Sequence, residues 1–273
     1  MSGHRAARGQ VLTAGGWLDL HFEACRAEYE EMLRLAGMKP GWRVLDAGCG
    51  AGAFLPLLQD QVGAGGSVVG VDASEDNAAE ARERSAARVE VGSVTSLPFD
   101  DAAFDAVWCA NVLQYVGEDD AVRALAEFAR VTRRGGVVAV KDVDMSMMRV
   151  FPGSPFLVTH LADVTARRPD AVQSRGSLRG RELRRRLEHA GLVDVIQRTF
   201  VIERWAPLTP VENGLFREWL AFLAGVAAEA GMPDEDLREW ERYADAGAAE
   251  HPVEDPRFYV CEGQAVAVGR VSG

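Results

Sequence analysis

Hydrophobic residues along this chain recur with two periods, and the switching between them predicts the architecture. From Asp19 to Ala36 the apolar positions Cys25, Tyr29, Met32, Leu33 and Ala36 fall at helical spacing and Gly37 supplies a stop, so one amphipathic helix is predicted ahead of the core. Apolar runs and helical segments then alternate. Strands are predicted near Val44, near Val69 and over Val89 to Val91, with helices over Ala53 to Gln61 and Ser74 to Ala86. Phe104 to Asn111 reads as a fourth strand, Asp119 to Val131 as a helix and Gly135 to Val143 as a fifth strand. This alternation implies βαβ units, hence a parallel sheet in a doubly wound α/β fold.

After Val143 the pattern changes. An irregular stretch precedes a helix over Arg181 to Ala190, and Val193 to Trp205 and Phe258 to Val271 alternate as a final, antiparallel strand pair. Two helices, Pro210 to Ala230 and Pro233 to Ala246, lie between those strands and are placed to fold over the sheet as a lid.

In doubly wound sheets ligands bind outside the carboxyl ends of the strands. Asp46, Asp72, Ser93, Asn111 and Asp142 are predicted at such ends. The most informative stretch is VLDAGCGAG, Val44 to Gly52, which sets Asp46 two positions before a glycine turn, with Asp72 ending the next strand in VVGVDAS. Glycines allow close backbone approach to a ligand, and the second acid can accept hydrogen bonds from both hydroxyls of a ribose. A dinucleotide fingerprint calls for a third glycine, and Ala53, an allowed variant, stands there. Asp46 tips the reading, because a carboxylate aimed at the turn suits a cationic ligand and repels a pyrophosphate.

VLDAGCGAG followed by GVDAS resembles the first motifs of class I S-adenosylmethionine-dependent methyltransferases. SLPFDDAAFDAVWCANVLQYV resembles their motif through the fourth strand, and EFARVTRRGGVVAVKD the motif into the fifth, so the likeness covers Met38 to Val143 in order and spacing. It is to the small-molecule branch with a type 11 methyltransferase domain, which includes quinone-biosynthesis enzymes and tailoring enzymes of secondary metabolism. The resemblance implies a Rossmann-like, doubly wound seven-stranded sheet with an antiparallel last strand pair and a helical lid. It makes the chain one methyltransferase domain: an N-terminal helical cap (1–37), a cofactor-binding core (38–143), lid inserts (144–180 and 206–256) and the rest of the core (181–205 and 257–273).

The resemblance further implies that Asp46, Gly48, Cys49 (through its backbone) and Gly50 line the methionine part of S-adenosylmethionine, that Asp72 grips its ribose and that Ala73 flanks the adenine. Ser93 stands where the family usually has an acid for the adenine amino group, which leaves that contact to the backbone amide of Val94. Ala110 and Asn111 would meet the methionine ammonium through a carbonyl and a side chain, with Gln114 and Tyr115 just beyond. The implied reaction is in-line displacement at the sulfonium methyl, leaving S-adenosylhomocysteine.

Charge and composition narrow the partners. A net charge of −11 and a pI near 5.0 disfavour a long phosphate backbone as partner, and NVLQY differs from the NPPY-type tetrad of many amino-methylating enzymes that hold a flipped base. Cys25, Cys49, Cys109 and Cys261 form no CxxC pair and read as reduced thiols. With no apolar stretch long enough for a secretory signal or a membrane span, a cytoplasmic monomer or homodimer is expected. No metal is called for, since HExxH and paired-cysteine spacings are absent.

His21, Asp142 and His160 are the candidate bases for an acceptor that must lose a proton; Asp144 and His251 rank behind them. Trp17, Tyr115, Phe156, Phe216 and Trp219 are the candidate acceptor contacts, and the aromatics concentrated in the lid suit an apolar or aromatic acceptor. The run from Arg175 to Arg186 reads as a solvated helix face. Two other functions remain compatible with the residues: a nicotinamide-dependent oxidoreductase, which Asp72 also permits, and a noncatalytic binding scaffold.

Overall fold

The computed structural model describes residues 15–273, with side chains from Asp19 onward. Two helices lead, α1 (Gly15–Ala24) and α2 (Arg26–Ala36). Periodicity predicted a single helix here, and the structure breaks it at Cys25, whose φ of −115° leaves the helical range. The break frees α2 to bury Tyr29, Met32, Leu33 and Ala36 in the core. Gly37, left-handed at φ +64°, ends α2 by donating to the Arg34 carbonyl.

The core follows as β1 (Arg43–Ala47), α3 (Leu55–Val62), β2 (Ser67–Asp72), α4 (Glu75–Arg84), β3 (Arg88–Val91), β4 (Phe104–Ala110), α5 (Glu118–Val131) and β5 (Thr132–Phe151). The remainder is α6 (Leu157–Ala166), α7 (Val172–Gly176), α8 (Leu183–His189), β6 (Leu192–Trp205), α9 (Pro210–Ala230), α10 (Asp234–Glu241) and β7 (Tyr259–Val271). The seven strands run in the order β3-β2-β1-β4-β5-β7-β6. The first five are parallel, and β7 is antiparallel to both of its neighbours. Strand order reverses between β1 and β4, where the glycine turn leaves the sheet. This is the crevice in which such sheets bind ligands.

Successive strand residues point to opposite faces, so Val44 joins Met32, Leu33 and Trp108 in one buried cluster while Leu45 joins Val107, Phe128 and Val140 in the other. A third cluster sits among the inserted helices, where Leu161, Leu220, Trp240, Tyr243 and Phe258 pack together.

Two expectations need correcting. The fifth strand does not stop at Val143 but continues to Phe151, because a register shift lets Arg149 and Phe151 pair with Cys261 and Tyr259 of β7. The polar residues of DVDMSM hid a strand whose partner lies more than a hundred residues away in sequence. Nor is the arginine run a solvated face throughout. The side chains of Arg179 and Arg186 are only 12% and 15% exposed, and both pair with Glu118 at the start of α5. Arg179 also donates to the carbonyls of Leu113 and Val116, at 3.4 and 3.0 Å, which fastens the first insert to the 3-10 turn Leu113–Tyr115.

The insert approaches that turn closely at Gly176, where an added Cβ would overlap the backbone carbonyl of Gln114. Gly176→Ala is therefore expected to push α7 off the turn and destabilise the fold by about 1–3 kcal/mol, as overpacking does. Urea denaturation of the two proteins checks this, and equal midpoints would mean that the insert is not seated on the turn.

Candidate functional site

At the end of β1 the amides of Gly48 and Cys49 both donate to the Val71 carbonyl of β2, at 2.7 and 3.0 Å. The turn they begin needs glycine for two different reasons. At Gly48 (φ +79°) a Cβ would overlap the side chain of Val112, whereas at Gly50 (φ +54°) a Cβ would meet open space. A left-handed backbone bordering open space is a surface that a ligand can approach closely.

Asp72 is half-buried and holds the turn from the side. Its Oδ2 accepts from the Gly50 amide at 2.9 Å, and its Oδ1 accepts from the Ser74 amide at 2.9 Å and the Asn77 side chain at 3.3 Å. A carboxylate offers about four acceptor positions, so these three donors fix its orientation and leave capacity for a ligand hydroxyl. Ala73, just beyond it, is exposed.

Asp46 lies beneath the turn, 1% exposed, and its Oδ2 has no partner among the described residues. Burial, aided by the nearby Asp72 charge, pushes its pKa up to about 8. An orphaned buried carboxylate oxygen beneath an open glycine turn fits a cationic cofactor. Cys49 is buried against Gly70, and burial pushes its thiol up, which leaves it inert.

Ser93 is exposed, and its hydroxyl is occupied within its own turn, 2.8 Å from the Thr95 hydroxyl and accepting from the Thr95 amide at 3.2 Å. The Val94 side chain beside it is buried. On the other side of the crevice, Ala110 ends β4 half-buried. Asn111 follows in the left-handed region at φ +56°, with its amide donating to the Lys141 carbonyl at 2.8 Å. Gln114 is buried and reaches the Asn111 carbonyl at 3.5 Å. Burial and then Asp142 push the Tyr115 hydroxyl up to about 12.

Lys141 and Asp142 are adjacent on β5, so they face opposite sides of the sheet. Asp142 is fully buried on the side of Tyr115, Arg179 and Arg186, with the Gln114 backbone amide facing its carboxylate. Burial raises its pKa, opposed by Lys141 and the two arginines.

Lys141 turns the other way, donating to Asn111 Oδ1 at 2.8 Å with its ammonium 4.7 Å from the centre of the Tyr29 ring. Tyr29 in turn bonds His21 Nδ1 at 2.8 Å, and His21 Nε2 lies 3.3 Å from Glu262. Glu262 is held down at about 2, the His21 pairing and the Gln264 amide outweighing the cost of burial. The structure thus brings His21 to the β4–β5 end of the crevice through Tyr29, Lys141 and Asn111.

His160 is placed elsewhere. It sits on α6, stacked on Phe156 with ring centres 5.9 Å apart and bonded to Asp236 of α10 at 3.2 Å. Phe156 itself is 61% exposed. Phe216 lines a small cleft with His21, Cys25, Leu215 and Glu262, and Trp219, on the same helix, packs half-buried into the lid core. The side chain of Trp17 lies outside the described residues. His251 is buried as a cap, its Nδ1 accepting from the Val253 amide, and Asp144 accepts from the amide and hydroxyl of Ser146.

Sequence reasoning missed Lys141, Tyr29 and Glu262. Lys141 left a signal, a lone cation inside the apolar strand VVAVKDV. Tyr29 looked like ordinary helix core, and only the pairing of β7 with β5 shows where Glu262 lies.

A switch-point crevice with a glycine turn, a clamped acid at the end of β2 and an orphaned acid under the turn is an arrangement suited to a nucleoside cofactor in a doubly wound sheet. Comparison with known proteins is more specific. The family described as a methyltransferase domain matches residues 45–140. Malonyl-[acyl-carrier protein] O-methyltransferase of Pectobacterium atrosepticum is 38% identical over 127 residues, covering 46% of this chain and 48% of that protein. Demethylmenaquinone methyltransferase of Staphylococcus aureus is 29% identical over 195 residues, covering 66% and 80%. The chain spans about half the length of the first curated relatives it matches. Among solved structures, a SAM-dependent methyltransferase from Thermotoga maritima shares the fold with a TM-score of 0.52 at 21% identity, covering 92% of each chain. Residues 45–140 thus carry the likeness to a methyltransferase domain, within a fold shared with S-adenosylmethionine-dependent methyltransferases. No described helix is long and apolar enough to cross a membrane.

The raised pKa of Asp46 has a measurable sign. Folding favours the protonated acid, so its contribution to stability is present below the unfolded value, near 3.8, and is lost as pH rises toward about 8. Without cofactor, wild-type stability relative to Asp46→Asn should therefore fall across that range in urea titrations. A flat difference would show that Asp46 is ionised and solvated in the folded protein.

Proposed function

We propose that this protein transfers a methyl group from S-adenosylmethionine to a small apolar or aromatic metabolite by in-line displacement, in a quinone-type or secondary-metabolic pathway. The observation that carries the reading is the Asp72 carboxylate, oriented by the amides of Gly50 and Ser74 beside a glycine turn that borders open space. The bound cofactor supplies the activated methyl group and its leaving group. The chain has to align acceptor and donor and exclude water, which is worth roughly 7–11 kcal/mol of barrier.

In this reading the turn Gly48–Cys49–Gly50 and Asp46 seat the methionine end, Asp72 and Ala73 the ribose and adenine, and Ala110, Asn111 and Gln114 the side facing the acceptor. Val94 offers its amide to the adenine, since the Ser93 hydroxyl is already occupied. The acceptor lies toward Tyr115 and the lid residues Phe216 and Trp219. A small acceptor is in keeping with the likeness to a demethylmenaquinone methyltransferase, and the acidic chain suits it better than nucleic acid. His21 is the candidate group closest to this cleft. Asp142, buried against Arg179 and Arg186, positions the Tyr115 side of the crevice, and His160 belongs to the lid surface.

Calorimetry with S-adenosylmethionine and S-adenosylhomocysteine tests the cofactor seat. Both should bind the wild type, and Asp72→Ala should weaken them about 10- to 100-fold, the worth of hydrogen bonds to a charged group. Unchanged binding in the variant would remove Asp72 from the site. A labelled-methyl assay across phenols, quinols and amines tests turnover; binding without transfer to any of them would favour a noncatalytic scaffold.

A further inference from the structure

We propose that His21, Cys25 and Glu262 form a binding site for a borderline divalent cation such as Zn2+. Their donor atoms, the His21 ring nitrogen, the Cys25 sulfur and a Glu262 carboxylate oxygen, all lie within 4.8 Å of one another. His21 Nε2 is 3.3 Å and Cys25 Sγ 3.9 Å from Glu262 Oε1. Bonds of about 2.0 Å to nitrogen and oxygen and 2.3 Å to sulfur give tetrahedral edges of roughly 3.3 and 3.5 Å. The His21–Glu262 edge already matches, and the Cys25 sulfur, 3.9 Å from the carboxylate and within 4.8 Å of the imidazole, would close in on binding.

The chemistry of the set is selective. One imidazole, one thiolate and one carboxylate suit zinc and cobalt, and are too soft and too few in oxygens for magnesium or calcium. Two anionic ligands match a dication; Glu28 adds a further negative charge near the thiol, while Lys141 and Arg204 oppose it. Outer partners are in place as well. Tyr29 bonds the other ring nitrogen of His21 at 2.8 Å, and Gln264 donates to Glu262 at 2.9 Å, the kind of support that orients metal ligands.

The donors come from α1 (His21), the break that follows it (Cys25) and β7 (Glu262), and since 237 residues separate the cysteine from the glutamate, only the His21–Cys25 pair is local in the sequence. Among the described residues three ligands are present, where a zinc site takes four, and the same small cleft is lined by Leu215 and Phe216.

The test uses the full chain, stripped with a chelator and titrated with Co2+ followed by competing Zn2+. One equivalent of cobalt should produce a sulfur-to-cobalt charge-transfer band with tetrahedral ligand-field absorption, and zinc should abolish both. Cys25→Ser should lose the charge-transfer band, and Glu262→Gln should weaken cobalt binding at least about 10-fold. Cys261→Ser, which alters the other thiol lining the cleft, should leave the band unchanged. Thermal melts and S-adenosylhomocysteine binding of each variant confirm that it is folded. Absence of a thiolate band in the wild type, or the same band and affinity in folded Cys25→Ser, would overturn the site and leave His21 and Glu262 a simple ion pair, without touching the methyltransferase assignment.

Discussion

A fully buried ammonium in the fifth strand of a parallel sheet constrains everything around it. Removing a lysine from water costs several kcal/mol unless its charge and its protons are answered, and Lys141 is 0% exposed. Its Nζ is answered by the Asn111 side-chain Oδ1, the face of the Tyr29 ring and the negative field of Glu262. Each answer recruits a different element. Asn111 must leave β4 in a left-handed turn, Tyr29 must reach in from α2, and Glu262 must be delivered by β7. The single lysine thus couples the end of β4, the N-terminal helices and the antiparallel strand pair.

That coupling separates the two sides of the sheet at one point on β5. Lys141 faces the N-terminal helices and His21, whereas Asp142 faces the turn Leu113–Tyr115 and the arginines of the insert. Opposite charges one residue apart cannot share a partner set when their side chains point to opposite faces. Each therefore organises its own layer. The Asp142 layer joins the insert to α5 through Arg179, Arg186 and Glu118, and the Lys141 layer joins α2 to β7. The β4–β5 end of the crevice is bounded by both.

Much of this was legible in the sequence where the cause is local. Strands β1 to β4 and the glycine turn follow from apolar runs and from glycines forced by φ or by close packing, and Ser74 caps α4 where a predicted helix begins. Asp72 ends β2 as its apolar run suggests, and the parallel pairing of β1 with β2 sets it beside the turn that precedes it by some twenty residues. What could not be read depends on distant pairing. The continuation of β5 to Phe151 exists because β7 pairs with it, and Glu262 meets His21 only because β7 returns antiparallel. The break at Cys25 is invisible to periodicity, since Cys25 and Tyr29 keep helical spacing on either side of it. The buried arginines looked solvated because nothing nearby in sequence announces Glu118 as their common partner.

Asp46 shows the cost of a site prepared in advance. A carboxylate with an unpartnered oxygen beneath a turn of left-handed glycines is a poor way to stabilise a fold, since burial alone pushes its acid toward the neutral form. Its surroundings do nothing to relieve this: Asp72, the nearest charge, makes ionisation harder. A bound cation above the turn would reverse the sign of that environment, and ligand that binds only the folded state adds stability by mass action. The unmet acceptor at β1 is therefore what a cation over the turn would answer, on the function proposed above.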